Sequence, residues 1–173
     1  RAAAVSSRTI PKWLEIAYTY EGLREIPGAQ TAPFIRRWLD ELGAWWHDDE
    51  TPWCGVAMGA WMKQAGESLP KDWYRARGWL NWGVPLSAAE FGCVVVFNGG
   101  PKRPGAGHVG IVAGQDAQGR LVVFGGNQGN KVGFAPFDRD RVLGYRYPAG
   151  KLAPIAPLPL FASATGAVST NEA

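Results

Sequence analysis

The strongest constraint on this chain is a change of pattern near residue 94. Before it, apolar residues recur at helical spacing; after it, short apolar runs alternate with glycine-rich turns. Residues 11–25 read as an amphipathic helix with Pro11 in its first turn and Trp13, Leu14, Ala17 and Tyr18 on one stripe. A second helix is expected over about 32–42, where Phe34, Ile35, Trp38, Leu39 and Leu42 form the stripe and Gly43 stops it. Residues 45–53, WWHDDETPW, have no period and read as a loop. Residues 54–65 return to helix behind Thr51 and Pro52, with Gly66 as the stop, and 71–82 make a short fourth helix interrupted or ended near Gly78. Strands follow at 94–97, 108–114, 120–126, 131–137 and 141–147, the second and third joined by the hairpin signal QDAQG. Helices first and antiparallel strands after is α+β order, and no βαβ alternation suggests a doubly wound sheet.

Composition narrows the classes. Hydrophobic residues make up 46% and charged residues 19% of the 173, enough for a sizeable core in one domain. The formal charge of +3 is too small a surplus to argue for nucleic acid, and no apolar run approaches the length of a membrane span. Two cysteines exclude a disulfide-framed miniprotein. Nine tryptophans are hard to bury in one small core, so some are expected to line a cleft where a sugar or peptide stacks, against the plainer reading that they pack.

The ends differ from the middle. Residues 1–10 read as an arm without an initiator methionine or an apolar leader, which points to a chain trimmed, processed or cut from a larger polypeptide. Residues 149–173 read as a tail: Pro154, Pro157 and Pro159 favour an extended path along the surface, and the last ten residues resemble a linker. The domain is therefore expected over 11–148.

Cys54 is the first chemical candidate. At the start of a helix of small residues, a thiol faces free N–H groups and the positive end of the helix dipole, which favour its thiolate; a buried, inert cysteine is the competing reading. His108 stands after a glycine-rich loop at the head of a strand, positioned to act as the base for a thiol. A third group is wanted to orient the imidazole, and the next strand delivers Asn127 and Gln128 at its exit. Asn127 is the expected partner, with Gln128 in reserve or orienting substrate; alternatively both amides cap the turn GGNQGN.

Other polar groups carry less. Cys93 runs directly into VVVF and reads as buried packing, and the Cys and His spacings match no compact zinc signature, so neither a metal nor a cofactor is expected. His47, Asp48, Asp49 and Glu50 form an acidic cluster upstream of Cys54 that either holds a cationic substrate group or a calcium ion, or is a solvated loop.

Residues 51–66 (TPWCGVAMGAWMKQAG), 77–97, 107–114 (GHVGIVAG) and 121–132 (LVVFGGNQGNKV), ending in RVLGYRYP, together resemble the cell-wall hydrolases of the CHAP and NlpC/P60 branch of the papain-like superfamily. The resemblance covers about 11–148 and rests on the order and spacing of Cys54, His108 and Asn127. It implies a small papain-like α+β fold with N-terminal helices packed on an antiparallel sheet, and a catalytic set of Cys54, His108 and Asn127. It implies peptidoglycan as substrate, cut within the stem peptide or at the lactyl–L-alanine amide, with Trp46, Trp53, Trp79 and Trp82, together with Asp49 and Gln128, contacting it. A monomer is expected, without nucleic acid or a membrane span, acting in the periplasm or cell wall. A phage lysin and a secreted effector with an immunity protein both fit. A noncatalytic wall-binding module and a cysteine hydrolase of a protein amide are the competing functions.

Overall fold

The computed structural model describes residues 9–26, 31–46 and 52–162. Among them, three α-helices precede the sheet: α1 (Lys12–Tyr18), α2 (Pro33–Glu41) and α3 (Cys54–Gln64), followed by a 3-10 helix over Ala76–Asn81. The strands are β1 (Val84–Leu86), β2 (Val94–Asn98), β3 (Gly107–Asp116), β4 (Leu121–Gly125), β5 (Gly133–Phe137), β6 (Val142–Tyr147) and β7 (Leu160–Phe161), with one more 3-10 turn at Arg139–Arg141. They form one sheet in the order β1-β6-β2-β3-β4-β5, antiparallel throughout, with β7 added parallel to the far end of β3. The α+β order read from the sequence is the observed one.

α3 is the hub. Every residue from Cys54 to Met62 is buried, because the helix lies between the sheet on one side and α1 and α2 on the other. A helix buried all round tolerates only small residues where other backbones cross it. A Cβ on Gly55 would stand 2.7 Å from the Trp73 carbonyl oxygen, so glycine lets the 73–74 segment cross the helix start. Trp38 and Trp61 meet edge to face at 5.9 Å, and Trp61 leads on to Phe124 of β4, joining α2, α3 and the sheet in one aromatic core.

α1 ends at Tyr18, well short of residue 25. Gly22, at φ +94°, turns the backbone out of the helix, and residues 22–25 bond to 130–132 instead: Gly22 N–H to Val132 O, Val132 N–H to Leu23 O, and Glu25 N–H to Asn130 O. Pairing with a distant segment overrides helical spacing there. The helix expected over 71–82 is reduced to the 3-10 turn, which runs through Gly78 instead of breaking at it. A Cβ there would fall 2.2 Å from Asp72 O, so glycine lets the preceding turn fold back.

β1 and β7 were not expected. β7 matters for the tail: Gln115 N–H donates to Pro159 O at 2.9 Å, and the Phe161 ring lies 5.5 Å from Phe134. Gly114 makes the approach possible, since a Cβ on it would stand 2.3 Å from Pro159 O. The proline-rich path is thus extended, as its composition predicts, and then joins the sheet through two residues. No helix among the described residues is long and apolar enough to cross a membrane.

Candidate active site

Cys54 opens α3 and His108 is the second residue of β3, which runs alongside that helix. The backbone N–H groups of Val109, Gly55 and Cys54 itself bear on the Cys54 sulfur, so the thiol sits directly beside the strand position that follows His108. Gly126 tightens the same corner. A Cβ there would be 2.7 Å from that of Ala57, so only glycine lets the loop after β4 press on the first turn of α3.

The imidazole is oriented by Gln128. Its Oε1 lies 2.9 Å from His108 Nε2, while its Nε2 donates to the Val123 carbonyl at 3.1 Å and the Gly133 carbonyl at 2.7 Å. Two carbonyls can only accept, which pins the amide NH2 toward them and turns the amide oxygen toward histidine. That oxygen requires a proton on His108 Nε2. The neutral ring therefore keeps its lone pair on Nδ1, and Nδ1 is buried without a hydrogen-bond partner among the described residues. Room for the amide comes from two glycines: a Cβ on Gly125 would stand 2.6 Å from Gln128 Oε1, and one on Gly110 only 2.4 Å from a Val123 methyl.

Asn127 is not the partner of His108, and that expectation is corrected. It adopts φ +57°, as Asn130 adopts +62°, and both serve the left-handed corners of the turn. Asparagine tolerates that backbone region better than glutamine, so the turn takes the asparagines and leaves Gln128 to point inward. Asn127 thus serves the turn through its backbone, while the Gln128 amide bonds the carbonyls of Val123 and Gly133 on either side of that turn as well as the histidine.

Burial sets the charge states. His108 is fully enclosed, stacked at 5.2 Å and 14° on Phe137, with Phe97 next in the pile. Desolvation lowers its pKa to about 4, with the Gln128 bond opposing and Arg141 assisting. The Cys54 thiol is pushed up to about 11 by burial, against the backbone N–H groups that favour its anion. The thiolate expected from the helix start is thus outweighed, because loss of water around the sulfur exceeds what those N–H groups return. The resting pair is thiol and neutral imidazole. Cys93 is buried within the core, its pKa raised to about 12 by desolvation, and both cysteines are free thiols.

Cys54 lines a cleft of about 470 Å³ whose walls are Pro52, residues 74–77, Arg103 and residues 105–107. Three of the tryptophans expected in it are elsewhere. Trp53, Trp79 and Trp82 are core residues, their indole N–H groups bonded to the Glu25 carboxylate, the Trp73 carbonyl and the Ser68 carbonyl. Each ring found an acceptor inside the fold, so it could be buried whole. Trp46 is half-buried, stacked on Trp73 at 5.8 Å and edge-on to Tyr74, which does line the cleft. Trp45, next to it, is 86% exposed. Sequence reading missed Tyr74 and the arginines of the cleft; for Tyr74, Arg75 and Arg77 their presence between two tryptophans, in KDWYRARGW, was the available signal, and for Arg103 the basic loop PKRPG before His108. Asp49, with His47, Asp48 and Glu50, lies outside the described residues. Among the described residues, no three His, Cys, Asp or Glu side chains gather as a metal site.

An α+β domain with a thiol at the start of a helix, packed beside the strand that carries a buried histidine, has the parts of a cysteine hydrolase. The CHAP domain family matches residues 36–127, more than half of the chain, and the chain belongs to that family. CHAP domains are generally cysteine peptidases or amidases, and the family points to peptidoglycan as substrate. No curated protein and no solved structure matches the chain.

Proposed function

We propose that this protein hydrolyses an amide of peptidoglycan, within the stem peptide or at the lactyl–L-alanine linkage, through a thioester on Cys54. The observation that carries this reading is the pinned Gln128 amide. By fixing the proton on His108 Nε2, it leaves an unpartnered lone pair on Nδ1, one residue along β3 from the Val109 N–H that bears on the thiol.

Proton transfer then accompanies attack. As the sulfur adds to the substrate carbonyl, its proton passes to Nδ1, and the charge it would have carried as a buried thiolate never has to stand alone. The oxyanion falls to backbone N–H groups at the start of α3, Cys54's own among them. Nδ1–H next protonates the amine as the C–N bond breaks. Water attacks the thioester, gives a proton to Nδ1, and the C–S bond opens to return the thiol. Gln128 is a positioning residue throughout: its oxygen stabilises the imidazolium as it forms. A helix-borne cysteine against a sheet-borne histidine also supports grouping this fold with the papain-like enzymes, acting where the wall lies. Of the tryptophans first considered for substrate contact, Trp46 best fits a wall of the cleft, through Trp73 and Tyr74.

The test is mass spectrometry of fragments released from purified peptidoglycan by the native protein and by Cys54→Ala. Release by the native protein alone supports the reading, and new termini name the bond. Equal release by both removes Cys54 as nucleophile. No release from several wall types, with both forms folded, favours a binding module or another amide.

A further inference from the structure

The cleft beside Cys54 is lined by three arginines, Arg75, Arg77 and Arg103, and none of the described residues that line it is acidic. Arg75 and Arg77 come from the start of the 3-10 helix, while Arg103 comes from the loop between β2 and β3, so two separate parts of the chain contribute charge to one space. The arrangement is held in place. Arg77 Nη2 donates to the Pro104 carbonyl at 2.6 Å and the Ala106 carbonyl at 2.9 Å, fastening the loop that carries Arg103 to the helix that carries Arg75. Gly107 permits that closeness, since a Cβ on it would lie 3.1 Å from the Arg77 side chain. Arg75 and Arg103 make no ion pair among the described residues; the Arg75 guanidinium lies over the Tyr74 ring, at 5.9 Å.

Three cations facing one cleft repel one another and stay together only at a cost, unless the ligand supplies the opposite charge. Arginine matches a carboxylate with two parallel hydrogen bonds, which a carboxamide cannot reproduce. We infer that Arg75 and Arg103 select a substrate carrying a free carboxylate next to the scissile amide: a stem peptide with its side-branch carboxyl left ionised, in preference to one where it is amidated. This rests on the reading of the site as a peptidoglycan hydrolase. Arg77, its Nη2 committed to two carbonyls, is the fastener of the loop and not the selector.

Two synthetic muropeptides test it, identical except for a carboxylate or a carboxamide beside the cleaved bond, each given to the full chain and to Arg75→Gln/Arg103→Gln. Both changed residues are exposed and make no structural hydrogen bond through their side chains among the described residues, so the variant is expected to fold; a matching thermal melt checks this. The native protein should cleave the carboxylate substrate with kcat/KM about tenfold or more above the carboxamide, mainly through KM, and the preference should shrink as salt is raised. In the variant the ratio should fall toward one. Equal cleavage of both substrates by the native protein overturns the inference and leaves the hydrolase reading standing. A ratio unchanged in the variant removes these two arginines as its source. If neither peptide is cut while whole peptidoglycan also stays intact, the hydrolase reading itself falls, and this inference with it.

Discussion

At the scale of single residues, the division of labour between neighbouring amides is the sharpest result. Gln128→Ala removes the acceptor from His108 Nε2 and leaves that N–H unpaired in an enclosed site, so kcat should drop roughly 10–100-fold and the pH profile should move, with KM little changed. Asn127→Gly keeps the left-handed corner and should retain most activity; a loss as large as that of Gln128→Ala would return the orienting role to Asn127. The thiol gives a second readout. With Cys54 pushed up to about 11, alkylation of the folded, substrate-free protein should be slow at neutral pH and accelerate as pH climbs past 9, with Cys54 modified before the core-buried Cys93. Peptide mapping by mass spectrometry would check it, and rapid labelling of Cys54 at pH 7 would mean a preformed thiolate. The positions of Cys54 at a helix start and His108 beside a strand start were legible because each belongs to an element whose own signal is strong. The choice between Asn127 and Gln128 was not: one residue of register at a turn decides it, and only backbone tolerance for positive φ separates them.

At the scale of elements, the glycines of β3 and β4 make the space in which the histidine is oriented. Gly125→Ala places a methyl carbon against Gln128 Oε1, on a side chain already tied by three hydrogen bonds. The amide must move, and activity should fall by about an order of magnitude with a stability loss of about 1–3 kcal/mol. Kinetics together with a chemical denaturation curve separate the two; a fully active, stable variant would show that Gln128 has room to spare. The same scale explains what sequence could and could not supply. α2 was readable from its apolar stripe and closing glycine, and α3 from its entry at Thr51 and Pro52 and its stop at Gly66, because those signals lie within or beside each helix. α1 was overrun because residues 22–25 pair with 130–132, a long-range bond that leaves no local mark. The tryptophans misled for a related reason: an indole N–H that finds a carbonyl or carboxylate across the fold can be buried whole, and those acceptors are far away in sequence for Trp53 and Trp82.

For the whole molecule, the buried imidazole ties stability to acidity. Its folded pKa of about 4 lies below its ordinary 6.5, so the contribution of neutral His108 is fully present above pH 6.5 and is lost as pH falls toward 4. The difference is on the order of 3 kcal/mol, enough to lower the melting temperature of a chain this size by several degrees across that window. Melts taken from pH 7.5 to 4 should show it; a flat profile would mean that the ring is protonated in place. Removing residues 159–173 deletes β7 and should cost about 1–2 kcal/mol, read as a lower melting temperature with the fold otherwise intact.

That short parallel strand also has a use for anyone immobilising the protein. It joins β3 at Gln115 and Asp116, seven residues along from His108, or about 20 Å of extended chain. A bead, a surface or a fused domain coupled just past Phe161 would therefore be moored at the end of β3 opposite its histidine. Strain applied there would peel a two-residue pairing before it reached the chemistry, so the mooring behaves as a mechanical fuse.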